Sequence, residues 1–132
     1  MLPRRKNSLA AIRFAERRRR EDEAPKLCDE VPALASLCLE IEESFGSGAT
    51  RHTRRIVVDN ARALFLVPCG DPRCTDGEHD LTTHVMRALR ERQTSFGGSD
   101  DCAGNLGTSV CLRVLRFDGT AEYRAQAAAR VG

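Results

Sequence analysis

The spacing of hydrophobic positions changes several times along this chain. Leu37, Leu39 and Ile41 alternate with Cys38, Glu40 and Glu42, a period of two that predicts a strand with one wet face. The stretch Ser44-Phe45-Gly46-Ser47-Gly48 then reads as a flexible turn. Residues 52–58 and 63–67 are two further β-prone runs, and Asp59-Asn60 between them suits a tight hairpin. The second run, Ala-Leu-Phe-Leu-Val, is apolar on both faces and predicts a central, covered strand. Leu81, Val85, Met86 and Leu89 recur at helical spacing while Arg87, Arg90, Glu91 and Arg92 face out. That pattern predicts a helix over about 81–93, N-capped by Asp80, lying on the sheet. Gly97-Gly98-Ser99-Asp100-Asp101 ends that segment. Residues 110–117 read as a fourth strand and 120–125, with Tyr123, as a fifth. Asp118-Gly119 between them is a strong hairpin signal, because both residues tolerate positive φ. The sum is an α+β fold: an antiparallel sheet of about five strands with one covering helix.

The two ends of the chain do not share this patterning. Residues 1–24 hold Leu9, Ile12 and Phe14 with no clean apolar stripe, followed by Arg17-Arg18-Arg19-Arg20. This segment is expected to be a flexible basic arm, a frayed helix or a coil ordered by a partner, ended by Pro25. Residues 25–126 form the single predicted domain, entered through a connector at 27–32 able to hold a helical turn, and 127–132 an Ala-rich tail. Charge divides the chain in the same way. The first twenty residues carry eight basic side chains against one acid, a net +7, and the remainder thirteen against eighteen, a net −5. Arginine clusters attract phosphate without reading base sequence. Arg4, Arg5, Lys6, Arg13, Arg17, Arg18, Arg19 and Arg20 are therefore the candidate nucleic-acid contacts.

Composition makes a staple useful. The chain has no Trp, one Tyr and five Phe, so large aromatic anchors are scarce, while six cysteines are plentiful. No apolar run reaches the roughly 18–20 residues of a membrane span, and no apolar segment follows Arg4-Arg5-Lys6 as in a secretory signal. A reducing, cytoplasmic setting is expected, where clustered cysteines bind metal more often than they form disulfides. Cys69 and Cys74 flank a turn rich in Gly and Pro, and Cys102 and Cys111 flank a second turn with Gly104, Asn105 and Gly107. If the strands beside these loops are neighbours, the two pairs meet as a closed four-thiolate site for one structural zinc. The spacings of four and eight residues leave His79 as an alternative ligand and Cys111 as an ordinary buried residue. Such a centre carries about −2, which Arg73 and Arg113 are placed to offset. Cys28 and Cys38 have no partner at useful spacing.

The four cysteines, Gly77, Asp80-Leu81 before the helix and a final strand with Tyr123 resemble short uncharacterised bacterial proteins with a four-cysteine core, over about residues 60–125. His79 stands where an aromatic residue is expected in that resemblance. The resemblance implies a zinc-binding core but brings no activity or partner. Asp80 with His84 four residues later is the one acid–base pairing, and no nucleophile or phosphate loop accompanies it. The expected function is that of a small non-enzymatic accessory or regulatory protein, bacterial and cytoplasmic, which touches nucleic acid or a ribonucleoprotein through its arm. The alternatives are a protein–protein adaptor using an acidic sheet face of Glu40, Glu42 and Glu43, or a zinc/thiol redox switch.

Overall fold

The computed structural model describes residues 3–45, 48–71, 73–74, 77–102 and 104–125. The elements run α1 (Pro3–Glu23), α2 (Leu27–Glu30), β1 (Leu34–Phe45), β2 (Gly48–Ile56), β3 (Leu66–Pro68), β4 (Glu78–Asp80), α3 (Thr82–Arg90), β5 (Ser95–Asp101), β6 (Asn105–Leu106), β7 (Ser109–Val110) and β8 (Val114–Tyr123). Among the described residues β2, β1, β8 and β5 form one antiparallel sheet in that order, and β3–β4 and β6–β7 are separate two-stranded pairs. The tail at 127–132 and positions 46–47 of the turn after β1 lie outside the described residues.

Alternation along β1 and β8 builds the core. Leu37, Leu39 and Ile41 of β1 and Leu115, Phe117 and Ala121 of β8 point to one face, where Leu81, Val85, Met86 and Leu89 from the α3 segment cover them. Burying each large aliphatic side chain here contributes roughly 1.5–3 kcal/mol before entropy is counted. The opposite face is polar. Glu40 pairs across the sheet with Thr53 and Asp118, and Glu42 with Arg51 and Arg116. The fold is thus α+β, with the predicted covering helix on an antiparallel sheet. Helix α3 ends at Arg90, short of Gln93, because Arg92 takes a left-handed φ of 58°. Gln93 N–H then donates to Ala88 O and Arg92 N–H to Leu89 O, a Schellman termination. Asp80 is the last residue of β4 and not the cap itself, and its Oδ1 accepts from Thr82 N–H. The connector holds its helical turn as α2.

Four local expectations are corrected. Asp59-Asn60 does not close a hairpin between adjacent sheet strands. β2 pairs with β1, and the 61–63 backbone turns to the connector, where Leu27 N–H donates to Ala61 O and Ala63 N–H to Pro25 O. Only Leu66–Pro68 of the second run is a strand, and its partner is β4. Asp118-Gly119 is not a turn either. β8 runs straight through it between β1 and β5, so the two strands expected at 110–117 and 120–125 are largely one. The glycine is required by packing. A Cβ on Gly119 would enter the Phe96 ring, 3.0 Å from Cδ2. The Gly-Gly-Ser-Asp-Asp segment belongs to strand β5 and is not a loop. Gly97 allows close approach to the β8 backbone, since a Cβ there would sit 2.8 Å from Phe117 O.

Candidate metal centre

Two loops at one end of the sheet supply the cysteines. The first joins β3 to β4 and is closed by Cys69 N–H donating to Gly77 O, with an inner turn from Cys74 N–H to Asp71 O. The second joins β5 to β8 and contains the β6–β7 hairpin. Gly107, at φ 64°, occupies the first position of its two-residue turn, which favours glycine. Cys102 N–H donates to Arg113 O and Cys111 N–H to Gly104 O, so each cysteine of this loop is fixed by backbone.

The sulfur atoms of Cys69, Cys74, Cys102 and Cys111 all lie within 4.8 Å of one another, with Cys69–Cys111 at 3.8 Å and Cys74–Cys102 at 3.6 Å. None is in a disulfide. A tetrahedral ion with metal–sulfur bonds of about 2.3 Å separates its ligands by about 3.8 Å, so the four residues fit such an ion and could hold one. Cys102 and Cys111 are buried and Cys69 and Cys74 half-buried. Gly104 N–H points at Cys102 Sγ at 3.4 Å. Desolvation raises the Cys69 thiol strongly and pushes Cys74 up to about 11. At Cys111 desolvation acts the same way but is outweighed by hydrogen bonds from Arg113 N–H and the other three cysteines, and the thiol is drawn down. Gly77 leaves the space the sulfurs occupy. A Cβ there would stand 2.6 Å from Cys69 Cβ and 3.1 Å from Cys102 Sγ.

His79 is directed elsewhere. Its ring is fully buried, with Nδ1 3.1 Å from Asp100 Oδ2 and Nε2 3.4 Å from Glu43 Oε2, and it stands outside the group of sulfurs. Glu43 closes β1 against the site. It accepts from Gly70 N–H at 3.0 Å and from Arg113 Nη1 at 3.1 Å. Asp71 accepts from Arg73 through both carboxylate oxygens, and these hydrogen bonds hold its acid down at about 2. Arg113 and Arg73 thus reach the neighbourhood of the centre through Glu43 and Asp71. Sequence reading missed Glu43 and Asp100 as partners of His79. Glu43 sits in register with the inward residues of β1, one position out of step with Glu40 and Glu42, and that offset was the available signal. It also removes Glu43 from the outer sheet face, where Arg51, Arg55 and Arg116 accompany Glu40 and Glu42, so that face is of mixed charge rather than acidic.

The arm is helical, and the side chains of Arg4, Arg5 and Lys6 lie outside the described ones. Arg20 Nη1 meets Glu78 Oε2 of β4 at 3.0 Å. Arg19 is engaged within the helix by Glu16 and Glu23, and Arg18 lies over the Phe14 ring. Arg13 and Arg17 line a groove of about 430 Å³ between α1 and the first cysteine loop. His84 stacks edge-on against Phe117 and does not join Asp80, which is bound to the Thr82 amide. Among the described residues no helix is long and apolar enough to cross a membrane. No protein-family model matches this chain, and no match was found among curated proteins or solved structures.

Proposed function

We propose that this is a small non-enzymatic accessory protein whose four cysteines bind one structural zinc and whose basic arm contacts the phosphates of nucleic acid or of a ribonucleoprotein. The observation that carries the reading is the tetrad of sulfurs within 4.8 Å, drawn from two separate loops of the chain. Four thiolates saturate zinc, leaving no position for a water or substrate. The nearby acids and histidine support a structural role, since Glu43, Asp71, Asp100 and His79 engage one another, Arg73, Arg113 and backbone amides. Zinc then holds together the end of the sheet on which the arm rests.

The phosphate reading rests on charge density in the arm. It is tested on the zinc-loaded full chain by measuring duplex DNA and RNA binding against salt. A variant with Arg4, Arg5, Lys6 and Arg17 to Arg20 changed to Gln should bind far more weakly. The salt slope against DNA should fall by about 0.9 for each phosphate contact removed. An unchanged affinity and slope would remove nucleic acid from the proposal. Native mass spectrometry before and after chelation should show one zinc gained and lost.

A further inference from the structure

We infer that α1 is an electrostatic strap over the cysteine centre, and that a polyanion taking the arm lifts it and opens the centre to solvent. This rests on the reading that the cysteines hold zinc and the arm binds phosphate. Helices ordinarily dock through an apolar stripe. Among the described side chains of α1 the half-buried positions are Arg13, Arg17 and Arg20, at i, i+4 and i+7, with Glu21 beside them toward Arg54, while Ile12 is 61% and Phe14 55% exposed. Over the cysteine loop the face turned to the body is an arginine stripe, Arg13, Arg17 and Arg20, with Glu16 at its edge. Beneath it lie Cys69 and Cys74, the two less buried members of the tetrad, together with Glu78, the carboxylate that receives Arg20. A divalent ion with four thiolates carries −2, and Glu78 adds another negative charge beside it. The stripe is the matching counter-charge.

Two consequences follow from one set of arginines serving two anions. A polyanion competes with the centre for the stripe, so binding it requires the strap to lift. By linkage, whatever weakens one of the two contacts strengthens the other. Lifting the strap removes the cover from Cys69 and Cys74, the sulfurs through which a chelator or oxidant would enter. Contacts of this kind between half-exposed charges are also weakened by salt.

The test follows zinc transfer from the loaded full chain to a chromophoric chelator, alone and with a duplex oligonucleotide, together with trypsin cleavage within the arm. The oligonucleotide should speed transfer at least threefold. Glu78→Gln and the double variant Arg13→Gln/Arg17→Gln, each still binding one zinc, should speed it without oligonucleotide and expose the arm to trypsin. Transfer and cleavage unchanged in both variants would overturn the strap. If the oligonucleotide fails to bind while the variants still release zinc faster, the strap stands and the nucleic-acid reading falls. If it binds without altering transfer, the strap is refuted and the nucleic-acid reading survives.

Discussion

Substituting Gly77 by Ala tests the centre at the point where the backbone comes nearest to it. The added Cβ would lie 2.6 Å from Cys69 Cβ and 3.1 Å from Cys102 Sγ. The first distance is about 1 Å inside ordinary carbon–carbon contact. Zinc–sulfur bonds tolerate only about 0.2 Å around 2.3 Å, so the loop cannot absorb that shift and keep all four ligands. Disturbing groups that merely orient ligands costs about 10–100-fold in metal affinity. Displacing a ligand's own Cβ should reach the top of that range, a hundredfold or ~2.8 kcal/mol. Competition with a chromophoric chelator at fixed pH reads the loss directly, and stability in excess zinc should fall in step. Gly107→Ala is the matched control. It strains a left-handed backbone at φ 64° but meets nothing within 4 Å, so it should cost ~1–2 kcal/mol of stability and leave zinc affinity within twofold. If Gly77→Ala binds zinc as the parent does, the close-packed tetrad is wrong.

Glu43→Ala removes the carboxylate shared by Arg113, Gly70 N–H and His79, and breaking such a buried ion pair should cost about 3–5 kcal/mol in denaturant titration. A loss below about 1 kcal/mol would mean that the network is solvated. Gly119→Ala should cost about 1–3 kcal/mol because it overpacks Phe96, and the double variant with Phe96→Ala should recover part of it in a double-mutant cycle. Simple additivity would contradict the strand reading of Asp118-Gly119. Chelation should abolish hydrogen-exchange protection of the Cys69, Cys102 and Cys111 amides while those of Leu39 and Leu115 persist, since the latter lie in the main sheet. Uniform loss would make the metal essential to the whole fold.

What could be read from the sequence was what depends on local chemistry. The period of two at Leu37, Leu39 and Ile41 reflects one buried face, and the sheet buries that face as the pattern requires. The helical spacing of Val85, Met86 and Leu89 works in the same way. The four cysteines were legible because no local structural need accounts for so many, and the two loops bring them together. What failed was glycine. Gly97, Gly98 and Gly119 carry the signature of turns, yet all three lie in strands where a side chain would strike a neighbouring strand's backbone or ring. The cause is tertiary: Phe96 of β5 lies against Gly119 of β8, and Gly98 of β5 against the Phe117 ring. Nothing within a few residues of Gly119 announces Phe96.

The arm shows why charge along a sequence did not reveal its destination. Its eight basic side chains form a cluster of net +7 when read as a string, and a cluster invites a polyanion. Wound into α1, the same string divides by face. Arg13, Arg17 and Arg20 turn toward the cysteine loop, Arg19 is held by Glu16 and Glu23, and Arg18 remains outside over Phe14. A helix of this composition has no apolar stripe to fix its rotation, so the partner beneath sets which arginines point inward. That partner is Glu78 and the first cysteine loop, residues more than forty positions away. The arm and the cysteine cluster, separate features when read along the chain, are therefore neighbours in space.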